Sequence, residues 1–569
     1  MENFFRDNED ILFHFEHMDI DRIIRLKEDD FQNPDNSPYA PHDLEDAKDS
    51  YTKVLDMIGE ISGENLAPQA ADIDKEGVRL IDGEVRYAKG TREVLDIFAK
   101  ADLMGFCFPR KYGGLNFPAI MLAIAAEMVA RADASFLNFG LQQDIGETLN
   151  KFGSEELKSK YLPKLATGEF GSSMILTEPD AGSDLQAVRL RAHQDPDGKW
   201  YLNGVKRFIT NGNGTIGLVL ARSEESAPGA RGLSFFLYER DEKMVIRRLE
   251  DKLGIHGSPT CELQFNNARG HLVGERKRGL SRYTMWLMNS ARIGIASQAI
   301  GIAEAAYREA NKYAEERIQF GAPVKDLPPV YEILTEMKIS IEAARTLLYE
   351  TARIVDLKEG LEHLKEHYPE RADEVKSDLK NYARLTNMYT PMIKAYATEM
   401  ANKVAYDAIQ IHGGTGFMRD FDVERHYRDA RITSIYEGTT QLQVVAAIGG
   451  LTSGTIITAL DEYESEDFSH ASDLHNVLLA ARNKFEKALV YIKGVEDADL
   501  VSYHARRMVE MAIDLIQSYL LLRDARHSER KLKIAETFIE KMSTRITMNS
   551  DFIHDGGSSL LRNHREIIG

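Results

Sequence analysis

A mainly α-helical protein with one β domain is the fold class that the sequence predicts: an N-terminal helical domain, a middle β-barrel or sandwich, a bundle of long helices and a helical C-terminal extension. Three observations carry it. Apolar residues recur at helical spacing through most of residues 44–171 and again from 281 onward. Between 172 and 280 they fall into short alternating or β-branched runs. After Gly454 two long apolar stripes return at helical spacing. At 569 residues the chain is too long for one core and long enough to divide into three or more domains that bury a large cofactor.

Residues 1–43 read as an acidic leader and linker, aromatic but without a clear repeat, with three prolines in 33–42. From Leu44 to residue 171 the pattern is helical, notably at 97–103, 119–130 and 155–165, and it is broken at 109–114. Residues 172–280 hold strand-like runs at 200–202, 207–210, 218–221, 233–237 and 261–265, separated by Gly, Asp and Asn turns. Helical periodicity resumes over 280–313, 330–355 and 390–411 within a domain of residues 281–453, and long antiparallel helices of this kind make a bundle. The segment 356–381 is almost wholly polar and reads as a solvated helical hairpin. The extension, residues 454–569, carries one stripe through Leu474, Val477, Leu478, Ala481, Phe485, Ala488, Leu489 and Ile492 and another through Val501, Ala505, Met508, Val509, Ala512, Leu515, Ile516 and Tyr519. Such stripes require a partner surface, the main body or a subunit neighbour, because basic residues are not concentrated on their polar faces as a lipid-surface helix would need.

A formal net charge of -19 disfavours nucleic acid and anionic membranes as partners, so an anionic substrate needs a local basic patch. Cys107 and Cys261 stand far apart without ligands at metal-site spacing, which argues against a disulfide framework and against structural zinc. The acidic N-terminus lacks the features of a secretory or transit peptide, and no apolar stretch reaches the ~20 residues needed to cross a bilayer. The expectation is a cytoplasmic protein without membrane insertion.

Four strings hold candidate chemistry. In residues 407–443, Gly413, Gly414 and Gly416 form a loop that a bulky ligand can approach, and Glu437 stands between an apolar run and Gly438, Thr439 and Thr440. That carboxylate suits a proton abstractor at a bend, or equally a helix-capping glutamate serving the dipole. LTEPDAGSD, residues 176–184, offers Thr177, Ser183 and a close-approach glycine, Gly182, to a phosphate or flat ring, or is a capped turn. RFITNG, residues 207–212, can stack on a planar ring or end a strand. In ERIQFGAP, residues 316–323, Arg317 can meet an anion or form a surface salt bridge.

The joint occurrence of these strings, in this order, resembles the acyl-CoA dehydrogenase family of flavoproteins over about residues 44–449. The resemblance implies a helical domain, a β domain and a four-helix bundle enclosing FAD, with an acyl-CoA thioester lying against the flavin. It assigns Met174, Leu176, Thr177, Gly182 and Ser183 to the segment contacting the flavin ring and phosphates, and Phe208, Ile209 and Thr210 to the ring's flank. Phe208 stands where many members carry tryptophan. Arg317, Gln319, Phe320, Gln410, Gly413 and Gly414 would reach the FAD of a neighbouring subunit in a homodimer or homotetramer, and Thr439 and Gln441 are further FAD contacts. Ser183, Asn289, Arg292, Tyr436 and Gly438 would face the substrate, with Arg292 beside the thioester. The acyl pocket is expected around Glu127, Leu141 and Met288.

The resemblance makes Glu437 the catalytic base, since the alternative location on the Arg292 helix reads MNSAR and holds no carboxylate. The implied reaction is α,β-desaturation of an acyl-CoA, with the substrate carbonyl polarised by the Glu437 backbone N–H and a flavin ribityl hydroxyl, and electrons passed to an electron-transfer flavoprotein or equivalent acceptor. An acyl-CoA oxidase or another oxygen-using member keeps the same motifs and changes the oxidant. A catalytically silent scaffold that binds a partner through its helical tail is the reading from another class.

Overall fold

The computed structural model describes residues 2–33, 36–141, 143–555 and 557–569; Pro34 and Asp35 of the expected linker lie outside the described residues. The leader is not a loose segment. Helices Glu9–His17 and Asp21–Lys27 bury Ile11, Ile20, Ile23 and Ile24 together with Phe4 and Phe5, so the apolar residues that show no repeat form one inward face. Asn8 starts the first helix, its side chain accepting from the N–H groups of Asp10 and Ile11.

The N-terminal domain is helical as expected. Helix Ala119–Ala132 at its centre is buried nearly all round, and its apolar sequence shows no solvent face. A small β-hairpin, Arg79–Ile81 with Glu84–Arg86, was not anticipated. The helix covering 97–103 stops at Lys100, and Asp102 turns the chain at φ 57°.

The β domain is a seven-stranded sheet. Strand Ile216–Arg222 pairs with Ser172–Ile175, with Arg191 of strand Arg191–Gln194 and with Leu233–Glu239; Arg191–Gln194 pairs with Trp200–Thr210, and Thr260–Leu272 joins Trp200–Thr210 to Leu233–Glu239. These pairings close a ring, so the expected barrel or sandwich is a barrel. Its interior holds Leu202, Val219, Phe236, Leu263 and Phe265. Leu218, Leu220, Phe235 and Leu237 pack outward on the helices, which is why 216–222 reads as one apolar run rather than an alternation.

Helices Met285–Glu316, Pro328–His367, Ala372–His412 and Thr440–Thr452 form the bundle. The polar segment 356–381 is a helical hairpin, but it is not wholly solvated. The two longest helices run through it, and Leu361, Leu364 and Val375 pack with Leu26 of the leader. Asp356, at its start, is buried and accepts from the Ala119 and Ile120 N–H groups at 2.7 and 2.9 Å, capping another helix. A polar residue in sequence thus serves as a buried acceptor in space.

The extension continues with helices Ser472–Lys493, Ala498–Asp524 and Glu529–His554. Most of their expected stripes are buried, including Leu478, Phe485, Met508, Leu515 and Tyr519, whereas Val477 is exposed at the edge of the first, and Gln517 donates to the Ala343 carbonyl of the bundle at 2.8 Å. Among the described residues no single helix is long and apolar enough to cross a membrane.

A buried ion cluster joins leader, N-terminal domain, bundle and extension. Arg345, without exposed surface, donates to Asp10 at 2.5 Å, Glu127 at 2.5 Å and Glu304 at 2.9 Å. Lys531 pairs with Asp10 and, at 2.9 Å, with Glu342. Glu127, expected beside the acyl chain, is therefore taken up by Arg345 and Tyr349 and does not line the cavity described below.

Candidate active site

The loop bearing Glu437 follows helix Val423–Thr433 and precedes helix Thr440–Thr452, whose first turn is capped by the Thr439 hydroxyl accepting from the Leu442 N–H. Glu437 has φ 53° and Gly438 φ 90°. Two successive left-handed residues make a sharp bend, at a conformational cost that non-glycine residues usually avoid. A side chain at Gly438 would be strained at this φ, and its Cβ, 2.6 Å from Gln443 Nε2, would displace that amide. The bend is held from behind: Gln443 donates to the Glu437 and Gly438 carbonyls at 3.1 and 2.8 Å, and Lys394 to those of Tyr436 and Gly438 at 3.0 and 2.5 Å. The Tyr436 hydroxyl donates to Gln298.

Glu437 faces a cavity of about 940 Å³ between the β-barrel, the N-terminal domain and the bundle. Met174, Leu176, Thr177, Gly182, Ser183, Phe208, Ile209, Thr210, Arg292, Tyr436, Gly438 and Thr439 line the same space, as do Leu141 and Met288. Three of the four sequence strings therefore converge, joined by Met288 and Arg292 of helix Met285–Glu316. The turn after strand Ser172–Ile175 is fixed by fully buried Lys206, which donates to the Leu176 carbonyl at 2.6 Å and pairs with Glu178 at 2.9 Å. Phe208, at φ 60°, breaks the pairing of its strand and remains half-exposed beside the cavity.

Some expected site residues lie elsewhere. Asn289 does not line the cavity; it accepts from Arg292 at 2.8 Å and so orients that guanidinium. Arg317, Gln319 and Phe320 lie on an exposed hairpin, Ile318–Gln319 with Ala322–Pro323, and Phe320 is 94% exposed. Gln410, Gly413 and Gly414, at the end of helix Ala372–His412, and exposed Gln441 also lie outside the cavity.

Electrostatics set Glu437 apart. Burial, with Asp144 adding like charge, raises its carboxyl to about 7 against the opposing pull of Lys394 and Arg292. Burial lowers Lys394 to about 7 and Arg292 to about 10, with Glu437 opposing both. Sequence reasoning missed Lys394, Lys206 and Asp144. A lone lysine in the apolar helical run around Lys394 was the available signal.

The arrangement is a carboxylate of near-neutral proton affinity at the wall of a mostly apolar cavity of ligand-binding size. Its hydroxyls (Thr177, Ser183, Thr210), apolar surfaces and exposed aromatic ring fit a planar, hydrogen-bonding ring such as a flavin.

Comparison with known proteins agrees. The descriptions "Acyl-CoA dehydrogenase, N-terminal domain", "middle domain" and "C-terminal domain" match residues 48–169, 173–268 and 278–448, and "Acyl-CoA dehydrogenase C terminal" matches 452–556. The 3-methylmercaptopropionyl-CoA dehydrogenase of Ruegeria pomeroyi is 32% identical, over 92% of this chain and 95% of that one. The structure of butyryl-CoA dehydrogenase from Megasphaera elsdenii is 32% identical over 72% of this chain and 99% of that one, with a TM-score of 0.60. A chain in the structure of the electron transferring flavoprotein of Acidaminococcus fermentans is 32% identical over 70% and 96%, with a TM-score of 0.59. The chain belongs to the acyl-CoA dehydrogenase family of FAD-dependent oxidoreductases.

Proposed function

We propose that this enzyme desaturates an acyl-CoA thioester between its α and β carbons, with Glu437 as the base. The observation that carries the reading is the Glu437 carboxyl itself, held in a left-handed bend at the cavity wall with its proton affinity raised to about 7. A base of that strength is half-ionised near neutral pH and still accepts a proton there. The α C–H bond breaks with its proton passing to a Glu437 oxygen, the β-carbon gives up a hydrogen with its electron pair, and a carbon–carbon double bond forms. FAD, when bound, supplies the acceptor for that hydride.

Met174, Leu176, Thr177, Ser183, Phe208, Ile209 and Thr210 are the residues that would hold the flavin ring. Arg292, oriented by Asn289, supplies positive charge to the same cavity wall. The exposed hairpin of Arg317, Gln319 and Phe320, with Gln410, Gly413 and Gly414, completes the cofactor site of a second copy, so the working form is a homodimer or a pair of dimers. An electron-transfer flavoprotein is the acceptor, a reading supported by the likeness to the Acidaminococcus fermentans chain. The two free, buried cysteines suit a reducing cytoplasm.

The test is anaerobic incubation of the holoenzyme with a panel of straight, branched, cyclic and aryl-bearing acyl-CoAs. Flavin bleaching with formation of a 2-enoyl-CoA is expected for at least one member, and reoxidation should be faster with an electron-transfer flavoprotein than with dioxygen. A flavin that none of them bleaches would sink the reading.

A further inference from the structure

Lys394 is the most unusual polar group behind the active-site bend. It lies on helix Ala372–His412 with no exposed surface, in the apolar run MIKAYA, and no carboxylate pairs with its Nζ within ion-pair distance among the described residues. Burying an ammonium is costly unless its hydrogen bonds are made. Here they are made to backbone: Nζ donates to the Tyr436 carbonyl at 3.0 Å and the Gly438 carbonyl at 2.5 Å, the two that flank Glu437.

The geometry of a peptide unit turns that contact into a statement about the N–H on its other side. The 436–437 peptide is trans, so its C=O and N–H point in opposite directions across a rigid plane. With the Tyr436 oxygen anchored on Lys394, the Glu437 N–H is aimed away from Lys394. Lys394 does not line the cavity, whereas Tyr436, Glu437 and Gly438 do, so away from the lysine is toward the cavity. Among the described residues the Glu437 N–H has no protein acceptor. Gln443 holds the next two carbonyls down on the protein side, leaving the donors of the bend as its free groups.

We propose that Lys394 is a positioning residue for the desaturation argued above: by anchoring the Tyr436–Glu437 peptide it presents the Glu437 N–H as a fixed donor to the substrate's thioester carbonyl. The inference rests on that reading of the site. A donor fixed before substrate arrives needs no reorganisation as negative charge develops on the oxygen during loss of the α-proton, and this is where preorganised donors contribute most. Apolar substitution would free the peptide to rotate while leaving the cavity wall intact.

The experiment uses holoenzyme carrying Glu437→Gln, which keeps the backbone N–H and holds an acyl-CoA unreacted. An acyl-CoA labelled at its carbonyl carbon is bound and the carbonyl stretch is read by difference infrared spectroscopy. A shift to lower frequency on binding is expected, and adding Lys394→Met should return most of it towards the free value with acyl-CoA affinity changed by less than about threefold. In the Glu437 background, Lys394→Met should lower kcat by about 10²- to 10³-fold, the cost typical of losing one such donor, with little change in KM. Lys394→Gln, which keeps a donor on a shorter side chain, decides the matter if the methionine variant does not hold FAD. A full carbonyl shift in either variant, or kcat within about threefold of wild type, overturns the proposal. Loss of FAD from both variants assigns Lys394 a purely structural role and overturns it equally. Bleaching of wild-type flavin by the same acyl-CoA tests desaturation separately, so the two readings fail by different results.

Discussion

Glu437→Gln tests the base by stability as well as by rate. Burial beside Asp144 lifts the carboxyl from 4.5 to about 7, and at 1.36 kcal/mol per tenfold this corresponds to about 3 kcal/mol. A group that binds its proton more tightly in the folded state contributes stability that is fully present below its unfolded value, near 4.5, and is lost as pH rises through about 7. Glutamine has a similar shape and no charge to desolvate. The variant should therefore match wild type near pH 4.5 and become more stable above pH 7, by up to about 3 kcal/mol. Unfolding of wild type and variant holoprotein in parallel across that range, taken as a difference, removes the shared behaviour of a multidomain chain. The same variant should bind acyl-CoA yet lose flavin reduction by more than the ~10²- to 10⁴-fold of an assisting acid–base group, and wild-type reduction should rise with pH through about 7. A variant less stable than wild type at pH 8, or one that reduces its flavin at close to the wild-type rate, would refute the reasoning.

Other perturbations probe the surrounding structure. Arg317→Ala should weaken FAD retention and subunit association together, read by flavin loss on gel filtration; a monomeric wild type with normal turnover would contradict it. Asp10→Asn leaves Arg345 and Lys531 short of a buried counter-charge, so about 3–5 kcal/mol of stability should be lost, with the leader becoming the first site of proteolysis. Truncation after Gly454 exposes the surfaces that bury Leu515, Tyr519 and Phe485, and should cause aggregation or a changed mass in solution; a soluble truncation of unchanged oligomeric state would rule this out.

Local features were legible without a structure. The change from helical to strand periodicity at about residue 172 marks the barrel because side-chain period follows backbone geometry. The bend at Glu437 was visible for the same reason, since Gly438 and the capping Thr439 act on their immediate neighbours, although the positive φ of Glu437 itself is held by Lys394 from a distant helix. Only the tertiary structure decided what those local pieces meet. Periodicity identifies an apolar face but not its partner, so Leu26 of the leader and the inner face of 356–381 gave no sign that they pack together. Glu127 looked available to a substrate because nothing near it in sequence says that Arg345, 218 residues on, takes its carboxylate. Lys394 reaches carbonyls 42 and 44 residues away, and Asp144, from a different domain, raises the proton affinity of Glu437. A carboxylate's proton affinity depends on the dielectric and charges around it in space, and those are assembled by packing rather than written in any one segment.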